Sequence, residues 1–88
     1  MLQSPGEYAM EIARNLKRLR RREKLTQTAL AAKAGVSYAS LRRFERTGEI
    51  SLGSLLRIAV VLGAAEPFGD LFRAPEITSI REIIDGEA

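Results

Sequence analysis

Cysteine and histidine are both absent from this chain of 88 residues. Their absence excludes disulfides, thiolate nucleophiles, Cys/His zinc sites and any catalytic triad built on an imidazole base. No apolar run approaches the roughly 18 residues of a membrane-spanning helix, and the opening residues lack a charged-then-apolar signal pattern. The expectation is a soluble, cytoplasmic chain. A Gly-rich phosphate loop is also missing, and the carboxylates Glu7, Glu11, Glu23 and Glu45 are scattered. An enzyme therefore has little to stand on, and neither a cofactor nor a metal site can be argued. Aromatic residues make up only 6%, which leaves no stacking surface of the kind RNA modules use.

What is present is ordinary globular composition, 45% hydrophobic and 28% charged, in a length that suits one domain. A core this small must be compact or shared with a second subunit. Charge is distributed unevenly. Residues 1–46 hold eleven Lys or Arg against four Glu, a net of +7, whereas residues 47–88 hold three Arg against seven Asp or Glu, a net of −4. Such asymmetry is expected when one end faces a polyanion, although a solvated basic face would look the same.

Helix signals follow one another along the chain. Ser4-Pro5-Gly6-Glu7 has the residues of a capping box with Pro in the first turn, and predicts a helix over about 5–23. Ala9, Ile12, Leu16 and Leu19 mark its expected buried stripe, with Arg14, Lys17, Arg18 and Arg21 pointing away. Thr26 caps a short helix to Ala34, and Gly35 is the expected left-handed residue after it. Ser37 caps a third helix reaching 46, in which Leu41 and Phe44 share a face. Thr47-Gly48-Glu49 reads as a loop. Ser51 starts a fourth helix that Gly63 ends, with Leu52, Leu55, Leu56, Ala59 and Leu62 as its expected core stripe. Glu66-Pro67 begins a short fifth helix ending near Phe72. Beyond Pro75, Ile77, Ile80, Ile83 and Ile84 sit among charges without a clear assignment. The expected fold class is all-α.

The stretch Thr26–Gly48, TQTALAAKAGVSYASLRRFERTG, has the form of a helix-turn-helix: a short helix, a turn at Gly35 and a second helix capped by Ser37. Ala31 is small where the two helices approach, Gly35 supplies the turn's backbone angle, and Val36 plugs the angle between them. With Arg20, Leu25-Thr26-Gln27, Leu30-Ala31, Leu41, Glu45 and Gly48 in order, the chain resembles the phage-repressor-like (Cro/C1, Xre-type) helix-turn-helix family over about residues 10–72. The resemblance implies a compact five-helix lambda-repressor-like DNA-binding domain over 1–73. A short C-terminal tail, 74–88, would follow as a possible partner-binding segment. Two residues depart from the family pattern. Lys24 stands where Gly or Asn is frequent, and a left-handed Lys there costs about 1 kcal/mol. Ala29 stands where Glu would complete a capping box with Thr26.

Counting 100° per residue with Leu41 inward places Ala39, Arg42, Arg43 and Arg46 on the outward face of the third helix, with Tyr38 on its flank. Tyr38, Ala39, Arg42 and Arg43 are the candidate base readers: arginine offers paired donors to guanine, and Ala39 or Tyr38 can meet a thymine methyl. Gln27, which the resemblance makes a backbone contact, is the leading phosphate candidate, followed by Lys33, Ser37, Ser40 and Arg46. Arg20 and Glu45 border the core, and the family pairs these positions in a partly buried salt bridge that is structural.

Binding across two half-sites implies a homodimer. Ile58, Val60, Val61, Phe68, Leu71 and Phe72 are the apolar surplus available for its interface. Completion of the monomer core competes for the same residues; it is favoured for the Phe68, Leu71 and Phe72 set, and the interface for Val60 and Val61. The run FERTGEISLGSLLRIAVVLGA and the tail after it resemble the small HipB-type antitoxins encoded beside HipA-type kinase toxins. That likeness implies autoregulation of an operon and a toxin partner. The function expected is a sequence-specific, double-stranded-DNA-binding repressor. The competing class is a protein-interaction module, against which the three outward arginines argue.

Overall fold

The computed structural model describes residues 3–75. Four α-helices follow one another, α1 (Pro5–Arg22), α2 (Gln27–Ala34), α3 (Tyr38–Thr47) and α4 (Leu52–Val61), and a 3₁₀ turn spans Glu66–Asp70. Each α-helix starts where a hydroxyl can satisfy an orphan N–H of its first turn. At α1 the Glu7 N–H donates to Ser4 Oγ at 3.1 Å and the Ser4 N–H donates to Glu7 Oε1 at 3.1 Å. Thr26 accepts from the Ala29 N–H at 3.0 Å, Ser37 from that of Ser40 at 3.0 Å and Ser51 from that of Ser54 at 3.2 Å.

α1 packs on α3, and α2 packs on both α3 and α4. Between them lies one core of Ala13, Leu16, Leu30, Ala31, Ala34, Leu41, Phe44, Leu55 and Ile58, with Leu25, Val36, Ile50, Val61, Leu62 and Phe68 closing its edges. Ala31, 2% exposed, is the small residue that lets α2 approach its neighbours closely. Gly35 adopts φ +68° to turn the chain from α2 into α3.

The structure corrects three expectations. In α1, Ala9, Ala13, Leu16 and Arg20 fall within an arc of about 60°, and Ala13 and Arg20 are buried while Ile12 is exposed. The exposed Ile12 rotated the apparent apolar stripe, because hydropathy alone counts it as inward. In α4, Ile58 is fully buried and Leu52 is exposed. Around Ile58, Leu55 and Leu62 lie within about 60° but Leu52 lies about 120° away. Ile58 is therefore a core residue of the monomer and not part of a dimer interface. Finally, the fifth element is a 3₁₀ turn of five residues with no buried member and no side-chain cap. Pro67 and Gly69 both fall within these five residues, which is too short and too poorly helix-forming for an α-helix.

Candidate nucleic-acid interface

Leu41 and Phe44 of α3 enter the core completely, which turns the opposite face of the helix to solvent. Tyr38, Ala39, Arg42, Arg43 and Arg46 are all exposed there and together line a shallow depression of about 300 Å³. Four of the five are the expected base readers, and the fifth, Arg46, was expected at phosphate. The direction of α3 is held by a buried ion pair. Arg20 Nε donates to Glu45 Oε2 at 2.7 Å and Arg20 Nη2 to Glu45 Oε1 at 2.9 Å, with the side chains only 9% and 4% exposed. The remaining arginine end is used as well, since Nη1 donates to the Leu25 carbonyl at 2.9 Å. Among the described residues no buried side-chain nitrogen or oxygen lacks a partner. An arginine with all three guanidinium nitrogens hydrogen-bonded in this way ties α1, the α1–α2 loop and α3 into one frame.

Gln27, at the first position of α2, joins that frame: its Nε2 donates to Glu45 Oε1 at 3.0 Å. Among the described residues the second amide N–H and the amide oxygen of Gln27 have no hydrogen-bond partner. With Lys17, Arg42, Glu45 and Arg46 it surrounds a second depression of about 240 Å³. Lys17 of α1 was not singled out as a contact candidate; only the packing of α1 against α3 brings it there.

The other expected phosphate residues are divided. Ser37 caps α3 and its hydroxyl donates to Ser40 Oγ at 2.8 Å. Ser40 is half-buried and, with Arg43, Glu49, Ile50, Ser51 and Ser54, lines a different depression from the one formed by the candidate base readers. Lys33 is exposed near the end of α2 beside Glu23, Leu25, Val61, Leu62 and Gly63, on the α2–α4 side. Arg43 carries a partner that sequence reading passed over, for its Nη2 donates to Glu49 Oε2 at 2.5 Å. Glu49 had been placed only in a loop, and its six-residue distance from Arg43 matches no helical spacing.

Of the six candidate interface residues, Val60, Leu71 and Phe72 are exposed, Phe72 completely. Val61 and Phe68 are half-buried and pack against the monomer core. The expected tail, 74–88, lies almost wholly outside the described residues.

The architecture is that of a helix-turn-helix DNA-binding domain, and a family model described as helix-turn-helix matches residues 16–67. The matched span runs from the middle of α1 into the 3₁₀ turn and covers more than half of the chain. The chain belongs to this family, the Cro/C1-type helix-turn-helix proteins, a family of DNA-binding regulatory domains that is not typically enzymatic. No curated protein and no solved structure matches it. No helix among the described residues is long and apolar enough to cross a membrane.

Proposed function

We propose that this protein is a sequence-specific repressor that binds a double-stranded operator as a dimer, with α3 of each copy in the major groove. The observation that carries the reading is the exposed face of α3, where three arginines, Tyr38 and Ala39 converge on a helix whose buried side is locked by Arg20 and Glu45. Arg43 and Arg42 read guanine through paired N–H donors, and Ala39 or Tyr38 meets a thymine methyl. Gln27, Arg46 and Lys17 hold phosphates beside the recognition helix, and Ser37, Ser40 and Lys33 are secondary positions. The DNA-binding unit is residues 1–73.

The test is a fluorescence-anisotropy titration against promoter DNA immediately upstream of the chain's own coding sequence. Wild type and Arg43→Ala are compared on that duplex and on a scrambled one at several salt concentrations. Wild type is expected to prefer the promoter, and Arg43→Ala to lose about five- to hundredfold of that preference. Equal, steeply salt-dependent binding of both duplexes by wild type would leave only charge attraction and defeat base reading. Absence of DNA binding would favour the protein-interaction module instead.

The likeness of residues 44–64 to HipB-type antitoxins, with the acidic balance of residues 47–88, supports a finer role as the autoregulating antitoxin of a HipA-like kinase toxin. In that role 74–88 is the toxin-facing segment. Toxin capture that survives deletion of 74–88 would remove this assignment.

A further inference from the structure

The contact between Arg43 and Glu49 links two side chains that are 63% and 64% exposed. An ion pair so open to water adds little to stability. Its consequence is where it holds the two charges. The position of Glu49 is set independently of the pair. Thr47 Oγ1 donates to the Arg43 carbonyl at 2.8 Å and accepts from the Glu49 N–H at 3.2 Å. Between them Gly48 takes φ +81° and lies so close to α1 that a Cβ there would stand 3.0 Å from Ala9 Cβ and 3.1 Å from the Met10 nitrogen. The loop is thus bracketed by Thr47 and seated on α1, and it presents the Glu49 carboxylate beside the candidate base reader.

We propose that Glu49 is a specificity-determining residue that governs how Arg43 meets DNA; the proposal rests on the reading of α3 as the base-reading helix. A long, unrestrained arginine neutralises whichever phosphate is nearest, and does so on any sequence. Reading guanine instead requires the planar guanidinium to be presented edge-on with two donors in line. Glu49 takes one of the two Nη2 N–H groups, which leaves one two-donor edge of the guanidinium free while tethering the group. It also places a negative charge beside the surface that phosphates approach. A duplex that offers Arg43 a guanine compensates for that repulsion, and a duplex that offers only phosphate does not. Glu49 therefore weakens indiscriminate binding more than it weakens operator binding.

Four chains test this: wild type, Glu49→Ala, Arg43→Ala and the double variant. Each is titrated with a duplex enriched by wild type from a randomised pool and with a scrambled duplex of the same composition. Circular dichroism melts establish that all four are folded, as expected for two exposed positions. Glu49→Ala is expected to bind scrambled DNA more tightly and to lose about fivefold or more of the preference for the enriched duplex. In the Arg43→Ala background the same change is expected to alter the preference by less than about twofold, because the two side chains act as one unit. An unchanged preference in Glu49→Ala overturns the proposal, as does an equal loss in both backgrounds. Base reading by α3 survives either result as long as Arg43→Ala alone loses the preference. Failure of wild type to enrich any duplex overturns base reading first and this proposal with it.

Discussion

Lys24 lies just beyond the end of α1 with φ +59°, one of two non-glycine residues in the described chain with positive φ. Its N–H donates to the Arg21 carbonyl at 3.0 Å and the next N–H, of Leu25, reaches the Arg20 carbonyl at 3.1 Å. The left-handed turn therefore satisfies two of the last carbonyls of α1, and a residue with a Cβ is strained in holding it. Glycine would hold it without that strain. Lys24→Gly is expected to stabilise the domain by about 1 kcal/mol, a rise in Tm of about 4–8 °C for a domain of this size. Thermal unfolding followed by circular dichroism is the check, and a lower Tm would mean that the lysine side chain contributes more than the turn's strain removes. This position was legible through the family resemblance, which puts Gly or Asn where Lys24 stands, and the φ of +59° gives the physical reason for that preference. Glu49 was not legible in the sequence. Its relation to Arg43 depends on a loop whose course is set by the seating of Gly48 on α1, and α1 lies some forty residues earlier in the chain.

Helix boundaries were largely readable for a local reason, since Ser4, Thr26, Ser37 and Ser51 each announce a first turn through a hydroxyl. Helix faces were harder. Apolar counting placed Leu52 inward and Ile58 outward in α4, where nearly every residue is apolar and only contact with α2 decides the rotation. In α1 the misleading residue was Ile12, apolar by type yet exposed, while Ala13 beside it is fully buried. The α1–α3 tie also sets the strongest expectation at this scale. Removing one partner leaves the other charge buried and without its complement, so Arg20→Met or Glu45→Leu alone should destabilise by about 3–5 kcal/mol. The double variant replaces both charges by apolar groups of similar size and should recover much of that loss. Urea unfolding of the three chains measures the coupling. Simple additivity of the two losses would mean that Arg20 and Glu45 are stabilised separately, Arg20 by the Leu25 carbonyl and Glu45 by Gln27.

Across the whole molecule, the recognition face and the exposed apolar residues belong to different elements. Tyr38, Ala39, Arg42, Arg43 and Arg46 sit on α3, while Val60 is on α4 and Leu71 and Phe72 follow the 3₁₀ turn. Val60 is 66% exposed and Leu71 59%, which is apolar surface left over after the monomer core is complete. None of these three residues lines the depression on α3, so the proposed interface draws on none of the candidate base readers. Two α3 faces on one duplex need centres about 34–36 Å apart, one turn of DNA, or a multiple of that. The exposure of the apolar surplus was only partly legible: composition reveals a surplus, but burial decides that Ile58, Val61 and Phe68 complete the monomer while Val60, Leu71 and Phe72 remain outside. Val60→Lys places a charge where the proposed interface is apolar and, being exposed in the monomer, should leave folding intact. The expected result in sedimentation equilibrium is a shift from dimer to monomer of at least about tenfold in dissociation constant, the effect of roughly 1.4 kcal/mol. On DNA the same variant should keep its affinity for a single half-site and lose the steep, cooperative binding of a two-half-site duplex. A Val60→Lys chain that still sediments as the wild-type dimer would exclude this surface and direct attention to Leu71 and Phe72 alone. A wild type that is monomeric at all concentrations, yet binds paired half-sites cooperatively, would mean that the second copy is recruited by the DNA itself.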